Sequence, residues 1–188
     1  VTRMSENLRE IVLSIRHYGC PVSDTSADIP GVKLSTVSKI SKHNNNIKSI
    51  LQIDGESDDI REFLAQLNRH EVTESVDPLL SGNASDSDPS HFVLDVAYDE
   101  SVRSIAQVFS EHDCFQPATV TISAGREKWP VYVEESADVR RLADKLRDLN
   151  VSFDIQRNVS MPTLPENLQT IVGSETRQLT SRQLEVLT

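Results

Sequence analysis

The chain has 188 residues, 37% of them hydrophobic, and a formal net charge of −10, enough for one domain or two small ones with a core. It lacks an apolar run of about 18 residues, which excludes a membrane-spanning helix. The opening VTRMSENLRE lacks the apolar centre of a secretory signal, so a cytoplasmic location is expected. The negative charge argues against most of the chain lying on DNA, because attraction to phosphate supplies most non-specific affinity.

In chain order, Leu8, Ile11, Val12 and Ile15 follow Ser5 at helical spacing and predict a first helix that ends at HYGCPVS. Residues 32–40 and 47–53 predict two strands joined by an Asn-rich turn. Ser57 then caps a helix carrying Phe63 and Leu67, and Val72 opens a further strand. Residues 1–79 therefore read as a first α+β unit whose opening strand is missing or short. Residues 80–90 are a polar linker. Beyond it, 91–98 alternates as a strand, Asp99 can cap a helix carrying Val102, Ile105, Ala106 and Phe109, and 118–123 is a second strand. GREK (125–128) turns the chain, and Trp129–Glu134 returns as a strand in which Pro130 suggests an edge or a strand start. Ser136 caps a helix with Val139, Leu142, Ala143, Leu146 and Leu149, and 151–156 closes the unit. Residues 91–160 thus read β-α-β-β-α-β, the ferredoxin-like order. Residues 161–178 are a connector, and 179–188 begin another helix. There Thr180 and Gln183 form a capping box, and Leu179 and Leu184 a hydrophobic staple.

A shift of 79 residues relates the two units: Ser57 falls on Ser136, Phe63 on Leu142, Leu67 on Leu146 and Val72 on Val151. The expected architecture is α+β, two tandem ferredoxin-like units followed by the start of a helical domain.

Residue patterns for catalysis are lacking. Six scattered glycines make no phosphate loop, and the acids of DGESDD (54–59) suit a helix N-terminus better than a calcium loop. His17-x-x-Cys20, with His112-x-Cys114 in the matching place of the repeat, offers imidazole and thiolate ligands for zinc or copper. The spacings differ between the units, and cysteines at helix ends are usually small core residues. The expectation is therefore no metal, no cofactor, no catalytic residue and no disulfide between Cys20 and Cys114. Trp129 suits either a ligand cleft or a partly buried strand, and Arg140-Arg141 either an anion site or a solvated helix face.

The ending LTSRQLEVLT resembles the opening of the helix-turn-helix domain of bacterio-opsin-activator-type regulators of haloarchaea. Leu179, Thr180, Arg182, Gln183, Glu185, Val186 and Leu187 match the pattern Leu-Thr-x-Arg-Gln-x-Glu-Val-Leu. The Cys-Pro-Val-Ser at 20–23 is also similar to the sensory part of some of these proteins. Six lysines, 13 arginines and 29 acids accord with a protein working in molar salt, although an ordinary acidic protein can share that balance. The resemblance implies a transcription regulator of which this chain is the sensory and dimerising region, cut just inside its DNA-binding domain. DNA would be contacted through the C-terminal part. A small-molecule effector and a second copy of the chain are the other partners implied, with no membrane. The paired units resemble amino-acid-binding, ACT-like regulatory domains, which hold small effectors between units. The alternative is a protein-interaction module without a small ligand.

Overall fold

The computed structural model describes residues 8–41, 46–79, 89–98, 104–116, 119–134 and 139–161. Its first element corrects the sequence reading: Leu8–His17 is a strand, β1. The apolar spacing that fits a helix also fits a strand in which almost every central residue is apolar. Here Ile11, Val12, Leu13 and Ile15 are all buried, as in a strand with neighbours on both sides. A bulge between Val12 and Leu13 further blurs the two-residue alternation. The opening strand of the first unit is therefore present.

HYGCPVS is not a helix end either. Cys20 is the N-cap of helix α1 (Pro21–Asp28), with Pro21 in its first turn. β2 (Lys33–Ser41), β3 (Asn46–Asp54), α2 (Ser57–Leu67) and β4 (Thr73–Leu79) follow. The second half runs β5 (His91–Ala97), α3 (Ile105–Glu111), β6 (Thr121–Ser123), β7 (Arg126–Glu134), α4 (Val139–Arg147) and β8 (Val151–Met161). Ser104, not Asp99, caps α3, through a capping box with Gln107. Asp99, Val102, Ser136, the linker residues 80–88 and everything after Met161, including the predicted helix at 179–188, lie outside the described residues.

Both halves thus run strand, helix, strand, strand, helix, strand. The strands form one antiparallel eight-stranded sheet in the order β4-β5-β3-β2-β6-β7-β1-β8. Within each half the two middle strands pair, β2 with β3 and β6 with β7, but the first strand of each pairs only with the other half: β1 lies between β7 and β8, and β5 lies between β3 and β4. Exchanging β1 with β5, β2 with β6, β3 with β7 and β4 with β8 reverses the sheet order onto itself, so the order has a two-fold pattern centred on the β2–β6 pairing.

All four helices share one core with alternate strand residues. Ile60, Phe63 and Leu67 of α2, Val108 and Phe109 of α3, and Leu142 and Leu146 of α4 join Leu51, Phe92, Leu94, Trp129 and Val131. The 79-residue repeat is visible here, since Phe63 and Leu142 are both buried, as are Leu67 and Leu146. Pro130 sits inside β7, not at a strand start. Tyr132 exchanges both backbone hydrogen bonds with Phe115, on the side away from β1. Pro130 has the parity of Tyr132, so its missing N–H faces that side and leaves the β1 ladder intact.

Helix α1 has no apolar stripe because it lies tightly on the β6–β7 turn. Ser23, Thr25 and Ser26 are buried. The Ser23 hydroxyl donates to the Gly125 carbonyl (3.2 Å), and the Gly125 N–H donates to Ser26 Oγ (3.0 Å). Gly125 has φ of +77°, and a Cβ there would lie 2.7 Å from the Ala27 Cβ. With Ala124 also at positive φ, the two-residue loop has the backbone of a type I′ hairpin.

Candidate functional site

Strand pairing builds the site. Along β7, Glu127, Trp129, Val131 and Val133 share a parity, and all are buried. Ile15 of β1 pairs with Glu127, so His17, two residues on, lies diagonally beside the Glu127 carboxylate. The chain then turns through Tyr18 and Gly19, whose φ is +81°. Asp24 holds this turn: its carboxylate accepts from the Gly19 N–H at 2.9 Å and pairs with Arg16 at 2.7 Å. The turn delivers Cys20 to the start of α1, where its side chain makes no capping bond and faces inward.

His17, Cys20 and Glu127 are all buried, and one potential ligand atom from each lies within 4.8 Å of the others. Glu127 Oε2 accepts from the Trp129 indole N–H at 2.7 Å, and Oε1 is 3.8 Å from His17 Nδ1. The Tyr98 hydroxyl donates to the Cys20 sulfur at 3.6 Å. Trp129 is held edge-on against Phe109, with centroids 5.3 Å apart. A cavity of about 100 Å³ opens among these groups, and its wall draws on the six central strands β5, β3, β2, β6, β7 and β1.

Burial, followed by the negative charge of Glu127, pushes the Cys20 thiol up to about 12. The backbone N–H groups of Ser23 and Val22 pull weakly the other way. Burial also raises the Tyr98 hydroxyl well above its ordinary value. Cysteine, histidine and glutamate could compose a nucleophilic triad, but such a thiol needs a lowered pKa. Here it is raised. The set is instead a neutral sulfur, an imidazole and a buried carboxylate around a small cavity, which are donors for a cation or a polar ligand.

Of the four residues singled out in the sequence, His17 and Cys20 meet and His112 and Cys114 stand apart. The latter two line a separate pocket of about 220 Å³ with Asp113 and Arg141. The presumed equivalence of the cysteines does not hold, since Cys20 opens α1 whereas Cys114 follows α3. Both are free thiols. Sequence reasoning missed Glu127 by assigning it to a turn; its signal was a charged residue in phase with Trp129, Val131 and Val133. The residues matched to a helix-turn-helix, 179–188, lie outside the described residues. Among the described residues, no helix is long and apolar enough to cross a membrane.

A search of curated proteins returns no match. The profile of the HVO_2525_N family, an N-terminal domain of haloarchaeal proteins, matches residues 10–153. That span runs from within β1 to the start of β8 and contains His17, Cys20, Tyr98, Glu127 and Trp129. The chain belongs to this haloarchaeal N-terminal domain family.

Proposed function

We propose that the chain is the sensory and dimerising region of a DNA-binding transcription regulator, and that it reports the state of its central cavity to a C-terminal helix-turn-helix. We read the sheet as two ferredoxin-like units with exchanged first strands. The observation that carries the reading is the position of the cavity. It is walled by strands from both halves, so an occupant that alters its packing alters how the halves meet. Support comes also from the haloarchaeal N-terminal family and from the LTSRQLEVLT ending. A dimer has a ready edge in β8, whose Ile155 and Val159 are exposed. The same edge favours the second reading, an interaction module without a small ligand.

The test is duplex-DNA binding by the full gene product in molar KCl, beside a chain ending at residue 161. The full product should bind the DNA upstream of its target genes and the short chain should not. Ser49→Leu, which fills the cavity, should shift DNA affinity by about fivefold or more. Absence of DNA binding by the full product sinks the regulator reading. Binding indifferent to Ser49→Leu removes the sensory part and leaves the interaction module.

A further inference from the structure

We propose that His17, Cys20 and Glu127 bind a divalent metal ion of the zinc class, with a fourth coordination position open to the cavity. This inference rests on reading the cavity as the effector site, and its test is read in metal content and spectra rather than DNA binding, so either reading can fail alone.

Three features point to a metal. The first is the donor set. A thiolate, an imidazole and a carboxylate suit zinc, whereas calcium and magnesium take oxygen ligands. Three protein ligands with an open fourth position is the arrangement of zinc sites that receive an exogenous ligand. The second is distance. Ligands sharing a tetrahedral zinc lie roughly 3.3–3.8 Å apart, given bonds of about 2.0–2.3 Å. The three donor atoms already lie within 4.8 Å of one another, so side-chain adjustments of about an ångström close the site. The third is charge. Glu127 is only 4% exposed, and a buried carboxylate is costly unless opposite charge accompanies it. A divalent ion bound to one carboxylate, one thiolate and one neutral imidazole makes a site of zero net charge. On binding, the Cys20 thiol releases its proton to solvent and the sulfur donates its electron pair to the metal.

The supporting shell fits. The Trp129 N–H holds Glu127 Oε2 and leaves Oε1 for the ion, as second-shell donors do around ligating carboxylates. Cys20 stands where serine, threonine or aspartate would cap α1 more strongly, and its sulfur faces the cavity instead of closing the cap. The ligands come from the end of β1, the start of α1 and the start of β7, so the ion would tie the exchanged strand to its host.

The experiment uses chelator-stripped, redialysed protein and two probes, zinc and cobalt(II). We expect one zinc per chain by elemental analysis after gel filtration, and a near-ultraviolet thiolate-to-cobalt charge-transfer band on titration with cobalt. Cys20→Ser should abolish that band, Glu127→Gln and His17→Gln should weaken zinc binding by about a hundredfold or more, and Cys114→Ser should change neither. Failure to bind stoichiometric metal at micromolar concentration overturns the proposal. So does cobalt binding by the unmutated chain without the thiolate band, an outcome that stands even where a variant fails to fold. Wild-type zinc affinity in folded Cys20→Ser overturns it equally, and would leave Glu127 and His17 as a buried acid–imidazole pair.

Discussion

The Cys20 thiol deprotonates at about 12 rather than at its ordinary 9.0, with burial the main cause. At pH 8 only about one thiol in ten thousand is thiolate, against about one in ten for an ordinary cysteine. Alkylation of Cys20 in the folded metal-free chain should therefore run at least about a thousandfold slower than in urea. Mass spectrometry of labelled peptides would measure it, and equal rates in the two states would show that the thiol is not buried. The same shift fixes the sign of a pH effect. Because the folded value is raised, the contribution to stability is complete below pH 9, where both states keep the proton. It is lost as pH climbs from 9 towards 12, where only the unfolded chain has given the proton up. Denaturant midpoints should fall across that window, less so in a folded Cys20→Ala chain. Gly125 makes a second residue-scale case. A side chain there meets both a positive φ and the Ala27 Cβ at 2.7 Å, so Gly125→Ala should cost about 2 kcal/mol or more in urea melts.

Elements that carry an apolar period were legible in the sequence: α2, α4, β3, β5 and β8 stand where the pattern put them. β1 and α1 were not, for opposite reasons. In β1 the apolar residues are so dense that helical and extended readings both fit. Its partners β7 and β8 lie more than a hundred residues away, beyond the reach of any local signal. In α1 the apolar residues are too few. Its burial is achieved by Ser23 and Ser26 bonding to Gly125, so a contact between distant segments makes PVSDTSAD helical. These two misreadings also blurred the candidate site. His17 and Cys20 were legible as ligand types, but matching them to His112 and Cys114 required the wrong helix ends. Glu127 became visible only once β7 was extended through it. If close approach rather than propensity places α1, then Ser26→Leu should destabilise by about 2–3 kcal/mol although leucine is the better helix former. A urea midpoint unchanged by that substitution would contradict the packing described.

Taken whole, the molecule combines a net charge of −10 with acids crowded at points such as Asp54, Glu56 and Asp58, all exposed between the end of β3 and the first turn of α2. Their repulsion extends over about 10 Å at 0.1 M salt and about 3 Å at 1 M. The urea midpoint should accordingly be higher in roughly 2 M KCl than in 0.1 M, and a higher midpoint at low salt would contradict this account of the charge. The strand exchange predicts that residues 1–79 and 89–161, made separately, stay unfolded and regain helical and strand circular dichroism when mixed one to one. A folded 1–79 fragment would show that β1 can find partners nearer home. The exchange also bears on synthesis. β1 leaves the ribosome early, and β7 follows more than a hundred residues later, roughly 5–20 s at the usual elongation rates. Throughout that interval the nascent chain carries one of its most apolar strands with both backbone edges open. Neighbouring ribosomes on one message hold chains of the same sequence at successive stages, so β1 of a younger chain can enter the second half of an older one. Crowded translation would thereby yield interlocked dimers of the same fold, and slowing initiation, which spaces the ribosomes, should reduce their share.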